Sequence, residues 1–149
     1  MSPDAEMLLE RYLHQQIPLS AAMGVRVKMA TPERVQLTAP LAANVNHHET
    51  VFGGSAAALA TLSAWSLLHL RLTRAALQAR LVIQRSGMKY DHPIPGDFDA
   101  VCDYTDEQAW ERFRITLERR GRARLTLAAH MLYDARPMAA FEGDFVGLV

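Results

Sequence analysis

The sequence has 149 residues, of which 50% are hydrophobic and 21% charged, and its formal net charge is zero. This length fits a single domain, 1–149, and the balanced charge removes the electrostatic reason to expect nucleic acid or an anionic membrane as a partner. One cysteine, Cys102, excludes an internal disulfide and a cysteine-rich zinc site. The acidic N-terminus lacks the basic start of a signal peptide, so we expect a cytoplasmic protein.

The first forty residues predict one helix and a β-hairpin. The Ser-Pro-Asp segment at residues 2–4 is typical of a helix start, and Pro18 prevents that helix from continuing. Residues 24–30 and 34–39 alternate apolar and polar side chains, which is the pattern of half-buried strands. The turn at 31–33 joins these strands into a predicted hairpin.

The stretch 44–70 carries most of the functional signals. A polar loop with two asparagines, two histidines and a glutamate runs into Gly53 and Gly54, and an apolar helix without charge follows as far as Arg71. A glycine pair that opens a buried helix offers backbone N–H groups to a developing negative charge. The run 51–70 is long enough to cross a bilayer. Its alanines and small polar residues favour instead the core helix of a soluble domain.

The rest of the sequence predicts four strands and one further helix. Strands are expected at 81–90, 98–104, 124–133 and 138–149, and a helix from 106 to 121. This order favours an α+β fold with a mainly antiparallel sheet around one long helix. Such a sheet leaves one side of the helix and its first turn open, and a symmetric partner could cover them. We therefore predict a homodimer, with a tetramer as the alternative.

Several motifs resemble those of the hotdog fold of acyl-thioester enzymes. Asn46, followed after six residues by Gly53 and Gly54, carries the general likeness. The segment 40–65, with TVFGGS at its centre, resembles more narrowly a hotdog family filed as thioesterases, whose stand-alone members are malonyl-acyl carrier protein decarboxylases. The likeness continues through residues 88–100, 120–127 and 141–146. It implies a curved sheet wrapped around a central helix, and a site at the dimer interface beside the start of that helix.

The resemblance also shows that one residue is missing. Asn46 matches the loop asparagine of phenylacetyl-CoA-type thioesterases, and Phe52 stands where those enzymes carry histidine. They place a water-activating aspartate seven residues past the second glycine, where this sequence has Thr61. Hydrolysis needs a general base or a nucleophile. Decarboxylation of a malonyl thioester needs instead a carboxylate held out of the thioester plane and donors for the enolate oxygen.

We therefore predict an enzyme that converts malonyl-acyl carrier protein to the acetyl form, which would prime fatty acid synthesis, without a cofactor. Asn46 would supply the side-chain donor and Gly54 the backbone donor, with a smaller share from the helix dipole. Asn44, Thr50 and Ser55 are candidates to hold the carboxylate or to orient Asn46. Asn44 could equally cap or turn the loop. The predicted substrate-binding residues are Phe52, Gly53, Ser55, Thr61, Arg120 and Arg122.

Glu49 keeps a second function open. Its carboxylate could serve as the missing base, which would restore an acyl-CoA or acyl-carrier-protein thioesterase, or it could simply face solvent. A third possibility is a non-catalytic module that binds a thioester or a carrier protein. The cluster Arg119, Arg120, Arg122 and Arg124 is either a solvated helix end or a dock for the phosphopantetheine phosphate and an acidic carrier protein.

The histidines admit two interpretations each. His47 and His48, next to Glu49, suggest a metal site, but adjacent histidines are expected to point apart and no further ligand cluster follows them. We therefore predict no metal. On the buried helix, His69 is predicted to be a hydrogen-bonded core residue, and Trp65 a core residue that can also border an acyl pocket.

Overall fold

The computed structural model describes residues 4–149, so Ser2 and Pro3 of the predicted helix start lie outside the described residues. The helices are α1 (Asp4–Gln16), α2 (Pro18–Ala22), α3 (Gly53–Arg74) and α4 (Glu107–Arg120). The strands are β1 (Arg26–Ala30), β2 (Arg34–Ala39), β3 (Arg80–Tyr90), β4 (Phe98–Asp103), β5 (Arg122–Tyr133) and β6 (Arg136–Leu148). The predicted order of elements is confirmed, except that α2 was not expected.

All six strands form one sheet in the order β1-β2-β4-β5-β6-β3, and every neighbouring pair is antiparallel. The predicted hairpins are both present, as β1-β2 and β5-β6. The sequence prediction lacks α2 because a proline breaks the interior of a helix but is tolerated at its start. The proline stands at the first position of the new helix, where its missing N–H costs nothing.

The long helix α3 lies against the inner face of the sheet and contacts all six strands. Leucine and alanine fill most of its buried positions, and small side chains let the strands approach closely. The positions Gly54, Ala58, Thr61, Trp65 and His69 recur at helical spacing and are not buried, so they form a stripe along the open side of α3. We call these five residues the α3 stripe. None of the helices in residues 4–149 combines the length and the hydropathy that a bilayer crossing needs.

β3 is the edge strand on one side of the sheet. It has 11 residues, and only Leu81 and Met88 among them are even half-buried. One side of β3 pairs with β6, interrupted by a bulge at Gln84, while the other side meets no strand within residues 4–149. A long edge strand that carries exposed apolar residues, here Val82 and Ile83, is a template for pairing with another chain.

The C-terminal end of α3 is fixed by a buried arginine. Arg71 is 0% exposed, and its Nε donates to the Pro32 carbonyl at 2.6 Å. Its Nη2 donates to the Tyr104 carbonyl at 3.0 Å and to Glu107 at 2.9 Å, and its guanidinium carbon lies 4.9 Å from the centre of the Tyr104 ring. The arginine therefore joins α3 to the β1-β2 turn and to the start of α4.

The one cysteine of the sheet, Cys102, is buried and unreactive. The thiol of Cys102, on β4, is 0% exposed, and burial raises its pKa to about 12. Because the thiolate is the reactive form of cysteine, this side chain acts as a small apolar core residue.

Candidate active site

The loop before α3 has two arms that lie side by side. Val45 and Val51 form an isolated antiparallel bridge, and the Phe52 amide donates to the Asn44 carbonyl at 2.8 Å. Support comes from the turn between β3 and β4, because the Val51 amide donates to the Ile94 carbonyl at 2.9 Å. The second arm leads directly into Gly53, so the loop and the first turn of α3 are held as one unit.

Asn46 closes the tip of this loop with its side chain. Its Oδ1 accepts from the His48 amide at 2.8 Å and from the Thr50 amide at 3.2 Å. Its Nδ2 donates to the Thr50 hydroxyl at 3.0 Å, but reaches the Val51 carbonyl only at 3.5 Å. Hydrogen bonds at that distance are weak, so the second N–H of the amide is available to a better-placed acceptor. Thr50 is therefore the residue that orients Asn46.

Asn44 holds the base of the same loop. Its side chain is 3% exposed, and its Nδ2 donates to the Met23 carbonyl at 2.9 Å and to the Pro40 carbonyl at 2.7 Å. Both side-chain N–H groups are thus committed to backbone oxygens, and Oδ1 has no partner within residues 4–149. The structure favours the alternative in which Asn44 shapes the loop.

The first turn of α3 presents two amides without backbone acceptors. Ser55 and Ala56 both donate to the Phe52 carbonyl, at 2.9 and 3.1 Å, whereas the amides of Gly53 and Gly54 donate to no backbone oxygen of the described chain. Gly54 is exposed and Gly53 half-buried. Free amides at the positive end of a helix form the kind of site that receives an anion.

Phe52 covers this turn from one side. Its side chain is 57% exposed, and its ring lies so close to the Gly54 Cα that a Cβ at position 54 would overlap it. A glycine at position 54 therefore lets the ring approach the helix terminus. An exposed aromatic side chain in this position is available to contact a substrate or a second protein chain.

Thr61 lies two turns further along the α3 stripe. Its hydroxyl donates to the Ala57 carbonyl at 2.8 Å, a bond within the helix. The side chain borders an apolar cavity of about 280 Å³ between α3, α2 and β3. The other lining residues are Ile17, Leu19, Ala58, Leu62, Trp65, Ile83 and Phe145. This cavity has no carboxylate in its wall, and Thr61 is its one hydroxyl.

Glu49 stands at the exposed tip of the loop. Its backbone has φ of +63°, a conformation that few residues other than glycine adopt, and its amide donates to the Asn46 carbonyl at 3.2 Å. The carboxylate has no hydrogen-bond partner within the described part of the chain. Glu49 therefore points into solvent in the isolated chain, close in sequence to the glycine pair.

The histidines differ from the expectation made for them. The rings of His47 and His48 do not point apart; their centres are 3.8 Å apart on the exposed loop. Across residues 4–149, no three His, Cys, Asp or Glu side chains converge as metal ligands would. The His69 ring packs against the rings of Tyr12 and Trp65, with ring centres 4.8 and 4.9 Å away, and its side chain has no hydrogen bond within residues 4–149. Burial holds its pKa below 6.5, which favours the neutral ring.

The arginines lie at the other end of β3 from the glycine pair. Arg119 and Arg120 end α4, while Arg122 and Arg124 point outward from β5, and all four are exposed. Arg80 lies near them, because β6 runs between β3 and β5, and its Leu148 pairs with Arg80 on one side and with Arg122 on the other. None of these five arginines, which we call the arginine patch, forms an ion pair with another described residue.

Sequence reasoning missed one residue of this region. Tyr90 ends β3, and its hydroxyl donates to the Gly53 carbonyl at 2.9 Å. The two residues are 37 positions apart, and no local pattern in the sequence links them. The one signal in the sequence was the family likeness of residues 88–100, which include Tyr90 but give it no role.

An antiparallel sheet around one long helix is the architecture of hotdog-fold proteins, and comparisons with known proteins agree. Residues 6–149 match the model of the family described as "Putative thioesterase (yiiD_Cterm)", and the chain belongs to that family. The predicted fold and family resemblance are thereby confirmed.

Three solved structures resemble the chain over nearly their full lengths. A protein of unknown function from Chlorobaculum tepidum has 29% identity and a TM-score of 0.91, with 96% of this chain and 93% of that one covered. A thioesterase, named as putative, from Shewanella oneidensis has 24% identity and a TM-score of 0.86, with 98% of this chain and 99% of that one covered. A Pseudomonas aeruginosa protein described as a probable thioesterase has 20% identity and a TM-score of 0.82, with 95% of this chain and 94% of that one covered.

Proposed function

We propose that this member of the family decarboxylates a malonyl thioester, converting malonyl-acyl carrier protein to acetyl-acyl carrier protein and so priming fatty acid synthesis. One observation carries the proposal: donors gather at the start of α3 while the helix offers no base. Gly53, Gly54 and Asn46 supply N–H groups, and Thr61 stands in an apolar wall where a hydrolase needs a carboxylate. An oxyanion can be stabilised there, but a water on α3 finds no group to activate it.

The reaction needs no group that the chain lacks. The bond between the carboxylate carbon and the malonyl α-carbon breaks, carbon dioxide leaves, and the electron pair passes into an enolate. The enolate oxygen takes the negative charge and receives hydrogen bonds from the Asn46 amide and the Gly54 N–H. The α-carbon then takes a proton from water to give the acetyl thioester. Apolar surroundings such as those of Thr61 favour the first step, since they disfavour the localised carboxylate.

Hydrolysis of an acyl thioester is the second candidate, and the family description and the names of the structural neighbours favour it. Glu49 is the acid of the loop closest to the glycine pair, so it would have to serve as base. The apolar cavity beside Thr61 would then hold the acyl chain. A third candidate, a binding module without catalysis, would use the same donors on an unreacted thioester.

The products separate these candidates. Purified protein is incubated with malonyl-carrier protein, and acetyl-carrier protein is separated from free carrier protein. Acetyl product supports decarboxylation, free thiol supports hydrolysis, and unchanged substrate supports a binding module. Glu49→Gln is the matched variant, since it keeps the shape of the side chain and removes its charge. A hydrolase that uses Glu49 loses most of its activity in this variant, whereas the decarboxylase keeps it.

The partner we propose is an acyl carrier protein with an acidic surface, or a CoA thioester in its place, held by the arginine patch. Exposed arginines without carboxylate partners favour phosphate and acidic surfaces through charge-assisted hydrogen bonds. Arg80 and Tyr90 are the two ends of β3, which separates them by about 33 Å in an extended strand. The patch of one protomer is therefore remote from its own glycine pair.

A homodimer would bring an arginine patch close to a glycine pair. We propose that two β3 strands pair edge to edge in antiparallel register, because this edge is long, exposed and apolar in part. Antiparallel pairing sets the Arg80 end of one strand beside the Tyr90 end of the other. The patch of one protomer would then serve the glycine pair of its partner.

Cys102, the single cysteine, is a free buried thiol, which suits the reducing cytoplasm that we propose as location.

A further inference from the structure

Tyr90 touches the peptide unit on which the proposed chemistry depends. The hydroxyl of Tyr90 donates to the Gly53 carbonyl at 2.9 Å. Its ring lies against the same residue, 3.4 Å from the position that a Cβ at Gly53 would occupy. The Gly53 carbonyl and the Gly54 N–H belong to one planar peptide unit and point in opposite directions. A group that grips the carbonyl therefore fixes the direction of that N–H.

The same contact also changes the strength of the donor. A hydrogen bond accepted by a peptide carbonyl polarises the unit and makes its N–H a better donor. Gly53 is the first residue of α3, so its carbonyl belongs to the hydrogen-bond ladder of the helix, and the Tyr90 hydroxyl adds a second donor to the same oxygen from outside the helix. β3 brings the Tyr90 hydroxyl to this point because its last residue is registered against Ala139 of β6.

We propose that Tyr90 is a positioning residue for the reaction, which aligns and polarises the Gly53–Gly54 peptide so that the Gly54 N–H meets the oxyanion. This inference rests on the proposed use of Gly54 as an oxyanion donor. It holds for decarboxylation and for hydrolysis alike, since an enolate and a tetrahedral intermediate both place negative charge on the thioester oxygen. Tyr90 itself does not touch the substrate in this role.

Removal of the hydroxyl alone tests the proposal. Tyr90→Phe keeps the ring against Gly53 and deletes the hydrogen bond. If the bond supplies 10–30% of the strength of one oxyanion donor, kcat falls about two- to sevenfold while KM stays the same. Tyr133→Phe is the matched control. Its ring also packs against a glycine, Gly96, and its hydroxyl forms no hydrogen bond within residues 4–149.

A double-mutant cycle separates an effect through the Gly54 N–H from a general one. Gly54→Pro removes the N–H itself, at a position in the first turn of α3 where proline is tolerated and where the exposed Phe52 ring can move aside. In that background Tyr90→Phe should have no further effect, whereas in an Asn46→Ala background its effect should persist in full. Equal effects in both backgrounds would contradict the proposal.

A measurement without turnover keeps this inference distinct from the proposed function. The backbone nitrogen shift of Gly54 responds to a hydrogen bond at the preceding carbonyl, so it should move in Tyr90→Phe and not in Tyr133→Phe. If the parent protein turns over no thioester, the proposed function fails and the Gly54 shift alone decides whether Tyr90 polarises the peptide. An unchanged Gly54 signal, or an active Tyr90→Phe with the parental kcat, would overturn the role given to Tyr90.

Discussion

The two ends of α3 satisfy their polar groups in opposite ways. At the C-terminal end, Arg71 is completely buried and every part of its guanidinium group has a partner. At the N-terminal end, the amides of Gly53 and Gly54 donate to no backbone oxygen in residues 4–149, and an exposed phenylalanine lies over them. Helix donors that are exposed in this way are left to water or to a ligand. The C-terminal end of α3, which we call the closed end, therefore serves stability. The N-terminal end, which we call the open end, is the place to look for function.

The largest effect is expected at the open end. Asn46→Ala removes one of the two proposed oxyanion donors and should lower kcat about 100- to 1,000-fold. Steady-state release of carbon dioxide from malonyl-carrier protein measures it. Because the alanine also loses the bonds to the His48 and Thr50 amides, Asn46→Asp is the control, since its carboxylate keeps both acceptors. If either variant releases carbon dioxide at the parental rate, Asn46 is not a donor in the reaction.

The next largest effect is expected at the closed end, on stability. Arg71→Met fills similar space but leaves the Pro32 and Tyr104 carbonyls without their donor, so the free energy of unfolding should fall by about 3 kcal/mol. Urea unfolding measures the change. Arg74→Met is the matched control, since Arg74 lies one turn later in a half-exposed ion pair with Glu33 and should change stability by less than about 0.5 kcal/mol. Equal losses would show that burial of Arg71 has no special weight.

A third experiment asks whether the partner subunit covers the open end. Asn46→Ala protomers are co-expressed with Arg122→Glu/Arg124→Glu protomers, and activity is measured at low concentration of malonyl-carrier protein. If each site takes Asn46 from one protomer and its arginines from the other, a mixed dimer has one complete site. Random mixing then restores about a quarter of the parental activity. Should donor and arginines belong to the same protomer, the mixture recovers nothing above the two variants alone.

The smallest effect concerns pH at the closed end. The hydrogen bond from Arg71 holds the pKa of Glu107 below its usual 4.5. The folded state thus favours the charged carboxylate, and the stabilisation is present above pH 4.5 and lost as the pH falls through the folded-state pKa. We expect Glu107→Gln to lower Tm by a few degrees at pH 7, and the difference from the parent to disappear in acid. A difference that stays constant from pH 7 to pH 3 would contradict this coupling.

The contrast between the two ends also explains what the sequence could predict. The open end depends on local patterns: a polar loop, two glycines and an apolar helical run are neighbours in the chain, so the place of the candidate site followed directly. The role of Arg71 could not follow, because its partners lie 33 to 39 positions away and are mostly backbone carbonyls, which no side-chain pattern records. By its type alone an arginine after an apolar run is expected to reach solvent.

The same reason separates Tyr90 from Asn46. Asn46 lies in the loop that leads into the glycines, and its partners are its own neighbours within five residues. Tyr90 reaches Gly53 only because β6 lies between β3 and the rest of the sheet and sets the register of β3. The pairing of six strands is a property of the whole chain, and the hydropathy of β3 alone does not specify it.

The buried thiol of Cys102 has a practical consequence. With a pKa of about 12 and no exposed surface, it stays protonated and shielded under the conditions in which surface thiols are alkylated. A cysteine introduced on the exposed edge strand, for example Gln84→Cys, would therefore be the sole reactive thiol of the folded protein. A single dye could then be attached to each protomer, and energy transfer between two dyes would report directly how far apart two copies of β3 lie in solution.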